Sequence, residues 1–170
     1  MLTTNPFPDF ESLGDAAAYA ARIREVTPHN ALFDEFNVDD LRQLGPFMQV
    51  YRAPARGVII SEGDTGDFMV FIIEGEVDVT KKDRQEMVKR IAVVLPGQAL
   101  GEMSMIDGEA RFASCTAIEP TTFAVLSRAA LQELINHHPR LAGKILMKLV
   151  FMLSQRLRQT SARLVDYIEK

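Results

Sequence analysis

The stretch Ser61-Glu62-Gly63-Asp64-Thr65-Gly66-Asp67-Phe68-Met69-Val70-Phe71-Ile72-Ile73-Glu74-Gly75-Glu76-Val77 decides the fold. Phe68 to Ile73 is continuously apolar, so it reads as a strand covered on both faces and set between layers. Turn signals bracket it: Glu62-Gly63-Asp64 and Thr65-Gly66-Asp67 before, Glu74-Gly75 after. Directly beyond, Val77-Asp78-Val79 alternates as a half-buried strand does.

The same punctuation continues outward. Val58-Ile60, Val77-Thr80, Val88-Leu95, Phe112-Ala117 and Thr122-Leu126 are short β-branched or aromatic runs, with Pro96-Gly97 marking a further turn. Many short strands spaced this closely predict a small antiparallel barrel or jelly roll. Residues 1 to about 48 read as helical instead. An alanine-rich run from Ala16 to Val26 follows Ser12 and Asp15 and stops at Pro28, and a short helix runs from Asn37 or Asp39 to Leu44. After Ser127 the helical period returns, with one helix over Ala129 to Asn136 and a long one opening at Pro139. The fold class expected is mainly β with flanking helices: a double-stranded β-helix (jelly-roll) barrel with N-terminal helices and a long C-terminal helix. Residues 1–28 form a helical extension, 29–138 the β-roll with its short helices, and 139–170 the C-terminal helix.

Composition sets bounds on the function. The chain has 170 residues, a net charge of −4 and one cysteine, Cys115. No internal disulfide and no cysteine zinc site can form, and nothing resembles a basic nucleic-acid arm. The N-terminus lacks the basic start and apolar run of a secretory peptide, and Ile145 to Leu153 is too short to span a bilayer. A soluble, cytoplasmic protein without membrane contact is expected.

The chemistry concentrates between Leu100 and Ser114. A strand ends at Gly101, a single helical turn carries Glu102, Met103 and Ser104, and the chain returns through Arg111 to Phe112 and Ser114. The first amides of such a turn have no intrahelical partner and suit a phosphate. Arg111 offers a planar donor fork that matches two phosphate oxygens. Glu102 can accept from a ribose hydroxyl, and Gly101, lacking Cβ, admits a ligand close to the main chain. Taken alone, Glu102 and Arg111 would more simply form a structural ion pair.

Ser61 to Val77 resembles the strand-turn-strand signature of the cyclic nucleotide-binding domain family, and Gly101 to Ser114 resembles that family's phosphate-binding cassette. The family includes the catabolite activator protein, the regulatory subunits of cAMP-dependent protein kinase and cyclic-nucleotide-gated channels. The resemblance covers about residues 30 to 160 and implies a role for each matching residue. Gly101 and Glu102 would hold the ribose. Arg111 would hold the phosphate, with main-chain help from Met103, Ser104 and Phe112. Val79, Ile91, Ser114 and Arg156 would line or cap the base pocket. Gly63, Gly66, Gly75 and Gly97 match structural turn glycines. Phe112 departs from the family, which usually has a small residue there; the absence of Thr or Ser at that position leans towards cyclic AMP, with cyclic GMP second.

Rival readings are weaker. His29, His137 and His138 lie outside every expected strand, so the chain lacks the inward histidine set of a metal-binding cupin. Ser114 and Cys115 have no histidine placed to activate them, so no enzyme is expected, and neither metal nor cofactor. Arg140, Lys144 and Lys148 read as a solvated helix face. Leu146, Val150, Leu153, Leu157, Thr160, Leu164 and Tyr167 step by alternating fours and threes, a seam that either packs on the core or pairs with its twin in a homodimer. A second stripe, Leu141, Ile145, Leu149 and Met152, is expected on the barrel. With no room after this helix for a DNA-binding segment, the output is expected to pass to an unknown downstream protein. The alternative function is a ligand-free dimeric interaction module of the same fold.

Overall fold

The structure is a computed structural model and describes residues 5–168. In chain order, β1 (Glu11–Asp15) is followed by a 3-10 turn (Ala16–Tyr19), α1 (Ala20–Val26) and α2 (Val38–Leu44). Then come β2 (Gln49–Ala53), β3 (Val58–Ile60), β4 (Phe68–Glu74), β5 (Val77–Lys82) and β6 (Val88–Val94). β7 (Ala99–Leu100) leads into α3 (Glu102–Asp107), and β8 (Ser114–Ala117) and β9 (Thr121–Ser127) into α4 (Arg128–His137) and α5 (Pro139–Ile168).

Two antiparallel sheets, ordered β1-β2-β9-β4-β7 and β3-β8-β5-β6, form the jelly roll. β4 shows why its sequence is apolar throughout. Val70 and Ile72 enter the core between the sheets with Val77, Leu100, Cys115 and Phe123. Met69, Phe71 and Ile73 face the other way, onto a second core built with Phe33, Leu134 and Ile145. Phe33 and Phe71 meet with ring centroids 4.8 Å apart. Each fully buried side chain of this kind contributes about 1.5–3 kcal/mol.

Helix starts follow local chemistry. The Asn37 side chain accepts from the Asp40 amide (2.8 Å), and the Ser127 hydroxyl accepts from the Ala130 amide (3.0 Å). Pro139 opens α5 where its missing N–H costs nothing. His138 ends α4 and sets its ring edge-on to Phe47.

The expected helical character of the N-terminal part needs correction. Glu11–Asp15 is a strand paired with β2, irregular between Ser12 and Gly14, where Gly14 takes φ 87°. The alanine run splits because the Asp15 carboxylate accepts from the Ala17 amide and the Ala16 amide donates to Met48 O (3.0 Å). These bonds fix a 3-10 turn, and the α-helix begins only at Ala20. Phe7 also enters the inter-sheet core, edge-on to Tyr51 and Phe123.

On α5, Leu141, Ile145 and Leu149 are buried and Met152 packs beside them, as the second stripe requires. The seam residues Val150, Leu157, Thr160 and Leu164 are exposed. The side chain of Tyr167, the seam's last member, lies outside the described residues. Arg140 is exposed, as a solvated face requires, but Lys144 and Lys148 are largely withdrawn from solvent, contrary to that expectation. Arg140 and Lys144 bond the Asp40 carboxylate (2.5 and 2.8 Å), and Lys148, almost buried, bonds Asp34 (2.7 Å). The reason is tertiary: the acidic 34–40 segment lies along that side of α5. Among the described residues no helix is long and apolar enough to cross a membrane.

Candidate functional site

Gly101 caps the start of α3, and its φ of 79° is a left-handed conformation that an L side chain adopts only with strain. A Cβ there would also stand 2.8 Å from Arg111 Nη1 and 2.9 Å from Ile60 Cδ1. The glycine is thus required by backbone shape and by the arginine beside it.

Arg111 is 4% exposed. Its Nη1 donates to Gly101 O and its Nη2 to Phe68 O, both at 2.8 Å, and its guanidinium lies 4.5 Å from the Phe68 ring centroid. No carboxylate among the described residues forms an ion pair with it. Burial lowers its pKa below the usual arginine value, with the Cys115, Asp67 and Glu102 charges opposing. An arginine stays protonated even so, so among the described residues this buried cation has backbone carbonyls as its hydrogen-bond acceptors.

The simple ion pair between Glu102 and Arg111 is not formed. Glu102, 2% exposed, accepts instead from Nη1 of Arg156 on α5. Ser104 is buried within α3, and Met103 faces outward, 43% exposed. The two sequence motifs are tied through the arginine's main chain, since Arg111 N donates to Asp64 O (2.8 Å) and Gly63 N to Arg111 O (2.9 Å). Gly66 serves more than a turn: a Cβ on it would stand 2.5 Å from Arg111 Nη2.

Phe112 points away from the arginine and is 57% exposed. Lys81 Nζ sits 4.2 Å over its ring and donates to its carbonyl (2.7 Å), while also bonding Glu62 (2.8 Å). Glu62 is held below the usual carboxylate range by Lys81 first and then by the Lys82 amide. The Ser114 hydroxyl is taken up by the Glu62 amide (2.9 Å). This Glu62–Lys81 support was invisible in the sequence because its members lie 19 to 52 residues apart.

Val79 is half-buried on β5, and Ile91, 52% exposed, is the residue skipped where the β5–β6 register shifts. Arg156 joins neither strand residue; it lines a cavity of about 350 Å³ with Ala92, Val94, Gln98, Ala99 and Met152. Of its lining, Met152 belongs to the second stripe of α5, whereas Ala92, Val94, Gln98 and Ala99 carry no local sequence signal and are notable only by their convergence. Cys115 is buried and its thiol is pushed up to about 12 by desolvation, consistent with a strand residue and not a nucleophile.

The sequence profile of the cyclic nucleotide-binding domain matches residues 51–138, a span that holds both motifs. The chain belongs to this family. A crystal structure of a cyclic nucleotide-binding domain from Methylobacillus flagellatus KT is similar at 40% identity and a TM-score of 0.83, covering 96% of this chain and 92% of that one. The Thermus thermophilus catabolite activator protein is similar at 26% identity and a TM-score of 0.72, covering 78% and 61%. The CRP-like cAMP-activated global transcriptional regulator of Mycobacterium tuberculosis is 25% identical over 144 residues, 85% of this chain. The chain spans 62% of that regulator's length. Gly101, Glu102 and Ser104 lie on one turn, with Arg111 bonded to its Gly101 carbonyl, whereas Ile91 and Phe112 are more than half exposed.

Proposed function

We propose that the chain is a cyclic-nucleotide sensor that takes cyclic AMP first and cyclic GMP second. The observation that carries this reading is Arg111: a buried cation with no ion-paired carboxylate among the described residues, its fork bonded to the carbonyls of Gly101 and Phe68, is an anion site before any ligand arrives. A cyclic phosphate supplies two oxygens to the fork, with the amides of Met103, Ser104 and Phe112 adding donors. Gly101 and Glu102 take the ribose, and Glu102 needs no large movement because Arg156 already fixes its carboxylate.

The base lies towards Val79, Ile91 and Ser114, and movement of α5 brings Arg156 over it. The cavity lined by Ala92, Ala99 and Arg156 offers apolar walls beside the ribose carboxylate. Cyclic AMP activation in the Mycobacterium tuberculosis relative supports the choice of base. The protein is cytoplasmic and non-catalytic, pairs with its twin through α5 and signals to a further protein by moving that helix.

Thermal melting tests the binding. Ligand at one hundred times its Kd stabilises by about 2.7 kcal/mol, roughly 5–10 °C for a domain of this size. Cyclic AMP is expected to give such a shift and Arg111→Leu to remove it. A wild type whose melting ignores cyclic AMP, cyclic GMP and cyclic dinucleotides alike would favour the ligand-free interaction module.

A further inference from the structure

Lys81 stands where the base and phosphate ends of the candidate site meet. Val79, on the proposed base wall, packs on the core between the sheets. Side chains alternate along β5, so Lys81, two residues on, leaves the same face near the end of the strand. Its ammonium is held from two sides. Nζ donates to Glu62 Oε1 (2.8 Å) and to the carbonyl of Phe112 (2.7 Å), the residue after Arg111, and lies 4.2 Å from the Phe112 ring centroid. Glu62 is itself fixed, since its other oxygen accepts from the Lys82 amide (3.0 Å) and its own amide donates to the Ser114 hydroxyl (2.9 Å). Phe112 and, through Glu62, Ser114 are thus tied to a lysine whose side chain is 34% exposed.

An ammonium carries three N–H donors and no acceptor. Glu62 and Phe112 take two of them, and the third has no oxygen acceptor among the described residues. A group that only donates tells the two purines apart. Guanine shows two acceptors side by side, N7 and O6, whereas adenine shows N7 beside the N6 amino donor. We propose that Lys81 is the specificity-determining residue that brings cyclic GMP close behind cyclic AMP, its free N–H donating to the N7/O6 edge of guanine, an inference that rests on the nucleotide-binding reading above. Adenine in the same place sets its own N6 donor against the ammonium and gains no bond to a 6-oxygen. The grip of Glu62 and Phe112 adds to the effect, because a lysine already held at two points loses little freedom in making a third bond. The other groups towards the base do not make this distinction. Val79 and Ile91 are aliphatic, the Ser114 hydroxyl serves either kind of edge, and Arg156 is bonded to Glu102.

Calorimetry on the whole chain with cyclic AMP, cyclic GMP and cyclic IMP tests the assignment. Cyclic IMP keeps the N7 and O6 of guanine without its 2-amino group, so it reports that edge alone. In Lys81→Met the Kd for cyclic GMP, taken relative to that for cyclic AMP, is expected to rise by about tenfold or more over the wild type, and the ratio for cyclic IMP to rise with it. Loss of the support to Phe112 weakens all three nucleotides alike and leaves both ratios unmoved, so the ratios separate recognition from a merely structural role. If Lys81→Met does not fold or loses all three nucleotides, Lys81→Gln serves: its amide offers an acceptor as well as donors, and a rise in both ratios is again expected. Ratios within about twofold of the wild type, in a variant that binds cyclic AMP, overturn the proposal. So does cyclic IMP that follows cyclic AMP, or a wild type that binds cyclic AMP but not cyclic GMP. A wild type that binds no cyclic nucleotide overturns the binding reading instead, and this one with it.

Discussion

Arg156 reaches from α5 to Glu102 and closes the N-terminal end of α3 with a pair whose carboxylate is 2% exposed and whose guanidinium is half in solvent. The two halves therefore differ in what their loss does. Removing the arginine strands a desolvated charge, whereas removing the carboxylate leaves a cation that water can reach.

Arg156→Ala is accordingly expected to lower stability by about 1–3 kcal/mol, the usual cost of leaving a buried group unpaired. Glu102→Gln is expected to cost less, and the double variant to recover part of the loss. Urea unfolding of the four proteins gives a coupling of about 0.5 kcal/mol or more. Strict additivity would mean that the pair holds nothing together.

Gly66→Ala tests the fit around the phosphate arginine. Its Cβ would stand 2.5 Å from Nη2 and 2.7 Å from Nε of Arg111, so the guanidinium must leave Phe68 O. Cyclic AMP affinity is expected to fall at least tenfold, about 1.4 kcal/mol, with the fold intact. Calorimetry showing a Kd within twofold of the wild type would mean that Arg111 has room to spare.

What could be read from the sequence and what could not divides along the range of the interactions. The two-sided burial of Phe68 to Ile73 and the glycine-led turn before Glu102 are local patterns, and each was legible. The strand at Glu11–Asp15 was not, because its alanine-rich continuation has helical propensity and only pairing with β2 overrides it. The partners of Glu102, Glu62 and Asp40 lie 54, 19 and 100 residues away, and no spacing rule connects them. Charge on α5 consequently looked solvated when three of its cations belong to buried or half-buried pairs.

Those pairs imply a defined acid response. Burial tends to raise the pKa of Asp34, but its bonds to Lys148 and the Asn30 amide outweigh this and hold it below its ordinary value. Asp40 is lowered in the same way, burial opposing and Lys144 and Arg140 prevailing. A carboxyl depressed in the folded state contributes stability that is present above its unfolded pKa, about 3.9, and is lost as pH falls through the folded value. Stability measured by urea unfolding is expected to be flat from pH 7 to about 5 on this account and to drop below about pH 4. Lys148→Met leaves Asp34 without its cation and with the Asn30 amide as its remaining bond, so a loss of about 1–3 kcal/mol at neutral pH is expected, with the acid limb moved to higher pH. An acid limb unmoved by Lys148→Met would show that other carboxylates set it.

The exposed seam of α5 leads to the last expectation. Val150, Leu157 and Leu164 are 64%, 68% and 60% exposed and share one helix face, while the opposite stripe is already used on the barrel. Apolar side chains at alternating steps of four and three bury each other when two such helices wind together. The wild type is therefore expected to sediment at twice its chain mass of 19.0 kDa. Leu157→Asp places a charge at the centre of the seam and is expected to give the single-chain mass. Because Leu157 is mostly in solvent within one chain, this variant keeps the fold, and its unfolding should no longer depend on protein concentration. Equal single-chain masses for wild type and variant at about 100 μM would rule the pairing out, since a dimer that weak has a Kd well above the micromolar range.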